Sequence, residues 1–143
     1  MDMKDVLISI KGLQSLDDGG DEAVEFVTDG KYGYSESGSE LSYMESELTG
    51  LDGTRTSFVI GPEGVVLQRE GTVNTRMVFE QGKKHLFLYE TPYGTATLNV
   101  DTKRVVTKLD AHGGDMEILY AVGVENETIG QNRFRIHVRE IGS

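Results

Sequence analysis

Hydrophobic and polar residues alternate with a period of two along most of this chain. The clearest run lies near the C-terminus, where Phe134, Ile136 and Val138 alternate with Arg133, Arg135, His137 and Arg139. Similar alternation occurs around Val6, Ile8 and Ile10, around Thr54, Thr56, Phe58 and Ile60, and around Val73, Thr75, Met77 and Phe79. A period of two is typical of β-strands that bury one face. The pattern therefore predicts a protein built from strands.

Glycine residues mark the turns between these runs. The chain has 18 glycines and only 2 prolines, and the glycines fall between apolar runs, as in Asp29-Gly30, Asp52-Gly53 and Tyr93-Gly94. Glycine reaches the positive φ that tight hairpins need. We predict about ten strands from eleven segments, two neighbours of which are expected to merge: residues 4–15, 22–34, 39–48, 54–60, 64–71, 73–80, 84–91, 94–101, 103–110, 115–125 and 132–141.

Residues 39–49 form the segment with the strongest helical character. Leu41, Met44 and Leu48 sit at helical spacing, and glutamates favour helix. The segment is nevertheless flanked by Ser37-Gly38 and Thr49-Gly50, within an otherwise unbroken series of strands. We therefore predict a strand there.

The predicted fold is all-β, with a single domain over residues 1–143 that forms an antiparallel up-and-down β-barrel. Many short strands joined by tight turns protect their edges best by closing on themselves. A β-sandwich also fits the pattern. The barrel is preferred because Greek-key sandwiches need long crossover connections, and the predicted loops are short.

Charge and composition exclude several classes of function. The formal net charge of −10 disfavours binding to nucleic acid or to anionic membrane surfaces. The absence of cysteine excludes disulfides, thiol nucleophiles and thiolate metal sites. No apolar run reaches the ~20 residues of a membrane span, and the N-terminus lacks a signal-peptide core. We expect a soluble, cytoplasmic protein.

Several short segments, taken together in order and spacing, identify a resemblance. They are Tyr43-Met44-Glu45, Leu48-Thr49-Gly50-Leu51, Thr54-Arg55-Thr56, Leu67-Gln68-Arg69-Glu70-Gly71, Met77-Val78-Phe79, Tyr89-Glu90-Thr91-Pro92-Tyr93-Gly94 and Val100-Asp101-Thr102. This arrangement resembles the YwiB-like family of uncharacterised bacterial proteins. The resemblance implies a calycin-like (lipocalin-like) β-barrel and a bacterial cytoplasmic setting, but no activity, cofactor or catalytic residue. Because the chain has no tryptophan, it departs from true lipocalins and from biotin-binding barrels.

The alternation places two charged residues on apolar strand faces. Glu45 shares a face with Leu41 and Tyr43, and Arg69 shares one with Val65 and Leu67. If the apolar members point inward, Glu45 and Arg69 point inward too, and each needs the other or a ligand as a partner. Two further tyrosines, Tyr89 and Tyr120, would add hydroxyls to the same interior. We therefore predict a small-molecule site lined by Tyr43, Glu45, Arg69, Tyr89 and Tyr120.

A purely structural interpretation of these charges stays open. Glu45 and Arg69 would then form an ion pair at a barrel end, or one of them would face solvent, since small barrels often fill their interior with side chains. An interior cavity of ~300 Å³ or more would favour a ligand. A filled interior would favour the alternative function, a protein-interaction or structural module that uses its outer surface and associates as a homodimer through an edge strand.

Catalytic and metal-binding motifs are absent from the sequence. His85, His112 and His137 are far apart and have no metal-ligand spacing. Acidic pairs such as Glu45 with Glu47, or Asp17 with Asp18, do not by themselves define an acid and a base. The acidic run at residues 17–22 lacks the spacing of a calcium loop. We expect no metal, no cofactor and no enzymatic activity.

Overall fold

The computed structural model describes residues 2–16 and 21–141, and this part of the chain forms ten β-strands and one short 3-10 helix. The strands are β1 (Lys4–Leu16), β2 (Asp21–Ser35), β3 (Gly38–Met44), β4 (Thr54–Ile60), β5 (Val65–Gly71), β6 (Asn74–Phe79), β7 (Lys84–Thr91), β8 (Gly94–Asp110), β9 (Gly113–Val124) and β10 (Glu127–Glu140). The 3-10 helix η1 covers Glu47–Thr49 and lies between β3 and β4.

The strands close into one antiparallel barrel. Each strand pairs with its neighbours along the chain, and β1 pairs with β10 to complete the ring. This closing ladder is long, running from Val6 opposite Glu140 to Leu16 opposite Gly130. The prediction of an all-β, up-and-down barrel is therefore confirmed, and the sandwich is excluded. Each described strand has a neighbour on both sides of this ring, although β6 and β7 are joined by only two residue pairs. The association through an edge strand stays a prediction.

Two adjoining predicted segments, 94–101 and 103–110, form the single long strand β8. A register shift between Thr102 and Arg104 marks the place where the two runs join. An extra residue of this kind bends a strand and raises its twist without ending it. The merger expected from the sequence occurs here.

The strand predicted for residues 39–48 is wrong beyond Met44. Ser46 is the N-cap of η1, and its side chain accepts a hydrogen bond from the backbone N–H of Leu48 at 3.3 Å. Gly50 ends the helix with a φ of 73°, a conformation that glycine adopts without steric cost. Leu41 and Met44, two of the three residues at helical spacing, lie in β3, and only Leu48 lies in the 3-10 turn that follows the strand.

The inward-facing apolar residues form one core inside the barrel. They include Ile8, Ile10, Tyr32, Leu41, Phe58, Phe79, Ile118 and Ile136, all at most 2% exposed. The alternation near the C-terminus is confirmed, because Ile136 and Val138 are buried while Arg133, Arg135 and Arg139 are exposed. Gly30 permits a close approach in the wall: a Cβ atom there would lie 2.4 Å from Ile8 Cδ1 and from the Ser42 carbonyl oxygen.

No helix among the described residues is both long enough and apolar enough to cross a lipid bilayer.

Candidate functional site

A cavity of about 300 Å³ lies at one end of the barrel. It is bordered by strands β1 and β2, by the segment around η1, and by the middle of β10. Its apolar wall includes Ile10, Phe26 and Phe134, and its polar residues include Tyr43, Glu45, Arg69 and Tyr120. This volume is at the lower bound of the range usual for small-molecule sites.

Glu45 is the most buried polar group at this cavity. Its backbone N–H donates to the Thr54 carbonyl at 2.8 Å, so the chain keeps its strand alternation for one residue beyond Met44 and the side chain points inward. That side chain is 1% exposed. Oε1 accepts a hydrogen bond from Thr56 Oγ1 at 2.7 Å, and Oε2 accepts one from Thr49 Oγ1 at 2.8 Å. Both carboxylate oxygens are therefore satisfied by hydroxyls.

Arg69 is the positive partner of Glu45, at a long distance. Cross-strand pairing places Arg69 opposite Thr56 on β4. Its Nη2 lies 4.0 Å from Glu45 Oε1, and its Nε donates to Thr56 Oγ1 at 3.3 Å. The Arg69 side chain is 18% exposed. Both side chains line the cavity at the barrel end and are linked mainly through the hydroxyl of Thr56, so the structural interpretation, an ion pair at a barrel end, fits the same geometry.

Two phenols complete the polar part of the cavity. Burial raises the pKa of Tyr43, and the negative charge of Glu45 raises it further. Burial also raises the pKa of Tyr120, while the positive charge of Arg69 partly offsets that effect. Both tyrosines therefore stay protonated and can donate hydrogen bonds. The ring of Tyr120 packs edge-on against Phe79, with 4.9 Å between the ring centroids.

Tyr89, the fifth residue predicted for the site, does not line this cavity. It belongs to the same cross-strand row, because Arg69 pairs with Thr75 and Thr75 pairs with Tyr89. Its ring packs against the apolar core. One strand, β6, thus lies between Tyr89 and Arg69, and register could not be derived from alternation alone.

Two threonines that hold Glu45 were not predicted as site residues. The sequence could have indicated Thr56, because the alternation places it on the same inward face as Phe58 and Ile60. The structure shows that Thr56 is fully buried. The sequence could not have indicated Thr49, because it lies at the end of η1, outside any strand. The aromatic wall residues Phe26 and Phe134 could be predicted to face inward, but not to meet at one end of the barrel.

The other acidic and histidine candidates do not converge on this site. Glu47, predicted on the same face as Glu45, is exposed because η1 breaks the alternation. His85 pairs with Glu80 at 3.1 Å, and His137 pairs with Asp115 at 2.9 Å. Asp17, Asp18 and most of the acidic run lie outside the described residues. In residues 2–16 and 21–141, no three His, Asp or Glu side chains are grouped to hold a metal ion.

A second, larger hollow runs along the outside of the barrel, over β5, β6 and β7. It measures about 580 Å³ and is lined by exposed side chains that include Gln68, Arg76, Leu86 and Leu88. β6 and β7 are joined by only two residue pairs, Asn74 with Glu90 and Thr75 with Tyr89. Arg69 and the buried Thr75 also line this groove, whereas the buried carboxylate of Glu45 lines only the end cavity of the two.

Comparison with known proteins agrees with this architecture. The uncharacterised β-barrel protein YwiB of Bacillus subtilis (strain 168) is 30% identical over 111 residues, which cover 78% of this chain and 77% of that protein. The crystal structure of the ywiB protein from Bacillus subtilis matches with a TM-score of 0.86 and 25% identity, over 99% of this chain and 94% of that one. Residues 8–136 match the family described as "Domain of unknown function (DUF1934)". The chain therefore belongs to this family of YwiB-like β-barrel proteins, as the order of its short sequence segments indicated.

Proposed function

We propose that this protein is a non-catalytic, cytoplasmic carrier or sensor that binds a small molecule in the cavity at the barrel end. One observation carries the proposal: a partly enclosed cavity of about 300 Å³ brings a buried ion pair and two protonated phenols against an aromatic wall. Ligand sites are usually apolar hollows with a few converging polar groups. The volume is at the lower end of the usual range, so the ligand is small.

A binding role fits the state of the buried carboxylate better than catalysis does. Glu45 has both oxygens engaged by threonine hydroxyls, so it is poorly placed to exchange protons with a substrate. Glu47, the second carboxylate considered from the sequence, is exposed on η1. A general acid–base pair needs two groups that reach the same reacting atoms. The arrangement supports recognition.

The proposal is tested with N-phenyl-1-naphthylamine, an uncharged fluorescent probe of apolar cavities. We expect its emission to rise on binding, with one site per chain. Gly12→Phe should abolish the rise, because Gly12 lines the cavity and a Cβ atom there meets only Phe134 Cδ2, at 4.0 Å. Ser9→Phe is the matched control, since it adds the same ring to the exposed outer face of β1. Equal binding by both variants, or no binding at all, contradicts the proposal.

A second candidate function is self-association through the outer face of the barrel. Val59 pairs with Val66, and Val66 pairs with Val78, so their side chains form an apolar row across three strands. On the next strand Leu86 is 75% exposed and Leu88 is 52% exposed. Exposed apolar patches of this kind often mark interaction surfaces.

The charges beside this row suit a second copy of the same chain. Arg76 lies in the outer groove together with Glu70 and Glu90. A two-fold interface brings the same patch of two copies together, so it needs both signs of charge on one face. Sedimentation equilibrium tests this: a dimer that Leu86→Glu disrupts supports the candidate, and a monomer at all concentrations rejects it.

A further inference from the structure

Arg69 has more hydrogen-bond donors than partners. A guanidinium carries five N–H donors. Nε is bonded to Thr56 Oγ1, and Nη2 lies 4.0 Å from Glu45 Oε1, beyond hydrogen-bond distance. Within the described part of the chain, this guanidinium makes no other hydrogen bond. Because Glu45 takes its own hydrogen bonds from Thr49 and Thr56, it leaves the remaining donors of Arg69 unused at the cavity that Arg69 lines.

Tyr120 supplies a second unused donor at the same place. Its phenol has no hydrogen-bond partner among residues 2–16 and 21–141, although it lines the cavity. Arg69 and Tyr120 line the same cavity. A partly buried hydroxyl without a partner favours a ligand that accepts its hydrogen bond. Two unused donors therefore line this cavity.

Charge balance decides what kind of acceptor fits. Glu45 and Arg69 carry opposite charges, so the buried part of the site is neutral, and the whole chain carries −10. An anionic ligand would lose its hydration beside the negative charge of Glu45, and the neutral site has no net positive charge that would compensate for this loss. A cationic ligand would approach the unused donors of Arg69. An uncharged acceptor avoids both costs.

We propose that the cavity recognises an uncharged small molecule with a carbonyl oxygen at one end and an apolar or aromatic body. The oxygen accepts hydrogen bonds from Arg69 and Tyr120, and the body packs against Phe26 and Phe134. This inference rests on the proposed function, since it names the ligand class of the same cavity. Amides, lactams and ketones of modest size belong to this class.

Three probes that share one phenylpropyl body test the head group: 3-phenylpropanamide, 3-phenylpropanoate and 3-phenylpropylamine. Each is titrated against the protein loaded with N-phenyl-1-naphthylamine, and its Kd is derived from the loss of fluorescence. We expect the amide to bind at least about tenfold more tightly than the acid or the amine, because an unpaired charge pays a desolvation cost there.

Variants then test which side chains recognise the head group of the amide. In Arg69→Met the preference for the amide should fall to within about threefold, since the main donor is lost. Tyr120→Phe should weaken amide binding about 3- to 10-fold; it keeps the inference testable if Arg69→Met fails to fold. Arg76→Met, on the exposed face of β6, is the control and should match the parent protein.

Each outcome of this experiment decides one point. Tighter binding of the acid or the amine, or equal binding of all three probes, overturns the inference about ligand class. Failure of all three probes to displace a bound naphthylamine also overturns it, while the proposed function stands. If the naphthylamine itself does not bind, both proposals fall. Unchanged amide preference in Arg69→Met and in Tyr120→Phe overturns the assignment of the donors.

Discussion

Arg69 Nη2 lies 4.0 Å from Glu45 Oε1, and the hydroxyl of Thr56 lies between the two side chains, donating to Glu45 and accepting from Arg69 Nε. The two hydroxyl hydrogen bonds are therefore the close contacts of the carboxylate, and the positive charge of Arg69 is a more distant one. A buried carboxylate with this support still needs a nearby positive charge, because hydrogen bonds alone do not replace its lost hydration.

Removing the positive charge should destabilise the fold. We expect Arg69→Ala to lower the free energy of unfolding by about 2–3 kcal/mol, below the full effect of breaking a tight buried pair because the distance is long and two hydroxyls remain. Urea denaturation measures the change. The control Arg76→Ala alters an exposed arginine and should cost less than about 0.5 kcal/mol. A loss of that small size in Arg69→Ala would mean that the charge of Glu45 does not depend on Arg69.

Two fully buried threonines should respond in opposite ways to the same substitution. Thr56 links Glu45 to Arg69, so Thr56→Val removes one of the two hydroxyl hydrogen bonds to Glu45 and the bond from Arg69 Nε, and should cost about 1–3 kcal/mol. Thr102 Oγ1 is buried with no hydrogen-bond partner among the described residues, so Thr102→Val should be neutral or stabilising by up to about 1 kcal/mol. Thermal and urea unfolding of the two variants give the comparison. Equal losses would argue against the hydroxyl bridge.

The sequence was sufficient to predict the barrel and to single out Glu45 and Arg69 on apolar strand faces, but it left open whether they form a site or an ion pair at a barrel end. Alternation fixes which face a residue occupies, and Glu45 follows it because its backbone still pairs with Thr54. Alternation does not fix register, so the separation of Tyr89 from Arg69 could not be predicted. It also fails where the chain leaves the sheet, which is why Glu47 was placed on the wrong face and Thr49 was missed. These two residues lie in a turn whose geometry depends on Ser46 and Gly50.

Stability should decline at alkaline pH as buried tyrosines are forced to ionise. Burial raises the pKa of Tyr32, Tyr43 and Tyr120 above the ordinary value of 10.0. The unfolded chain then loses these protons at lower pH than the folded chain does, so the stability that they contribute is complete below about pH 10 and is lost above it. Phenolate absorbance should reach the amplitude of all 6 tyrosines only when the barrel unfolds. Full amplitude with the fold intact, monitored by circular dichroism, would contradict this.

An ion pair on the outer face should contribute to stability near neutral pH and lose that contribution in acid. Glu117 accepts a hydrogen bond from Arg135 Nε, and this bond lowers the pKa of the Glu117 carboxyl. The unfolded state therefore takes up this proton first as pH falls, and stability is lost from the ordinary glutamate pKa of 4.5 downward. Glu117→Gln should lower stability at pH 7 by at most about 1 kcal/mol and flatten the acid limb of the melting profile. An unchanged acid limb would show that the pair is not formed in solution.

The ladder between β1 and β10 has a kinetic consequence. Residues near the two ends of the described chain must meet, from Val6 with Glu140 to Leu16 with Gly130, before the ring is complete. During synthesis on a ribosome, the backbone hydrogen-bonding groups on one side of β1 have no partner until β10 has emerged. Closure of the ring, which joins residues separated by nearly the whole chain, therefore comes late. Topologies dominated by such distant contacts fold slowly, on timescales of about milliseconds to seconds. During that interval the unpaired backbone groups of β1 are exposed, and a chaperone that covers β1 would protect them.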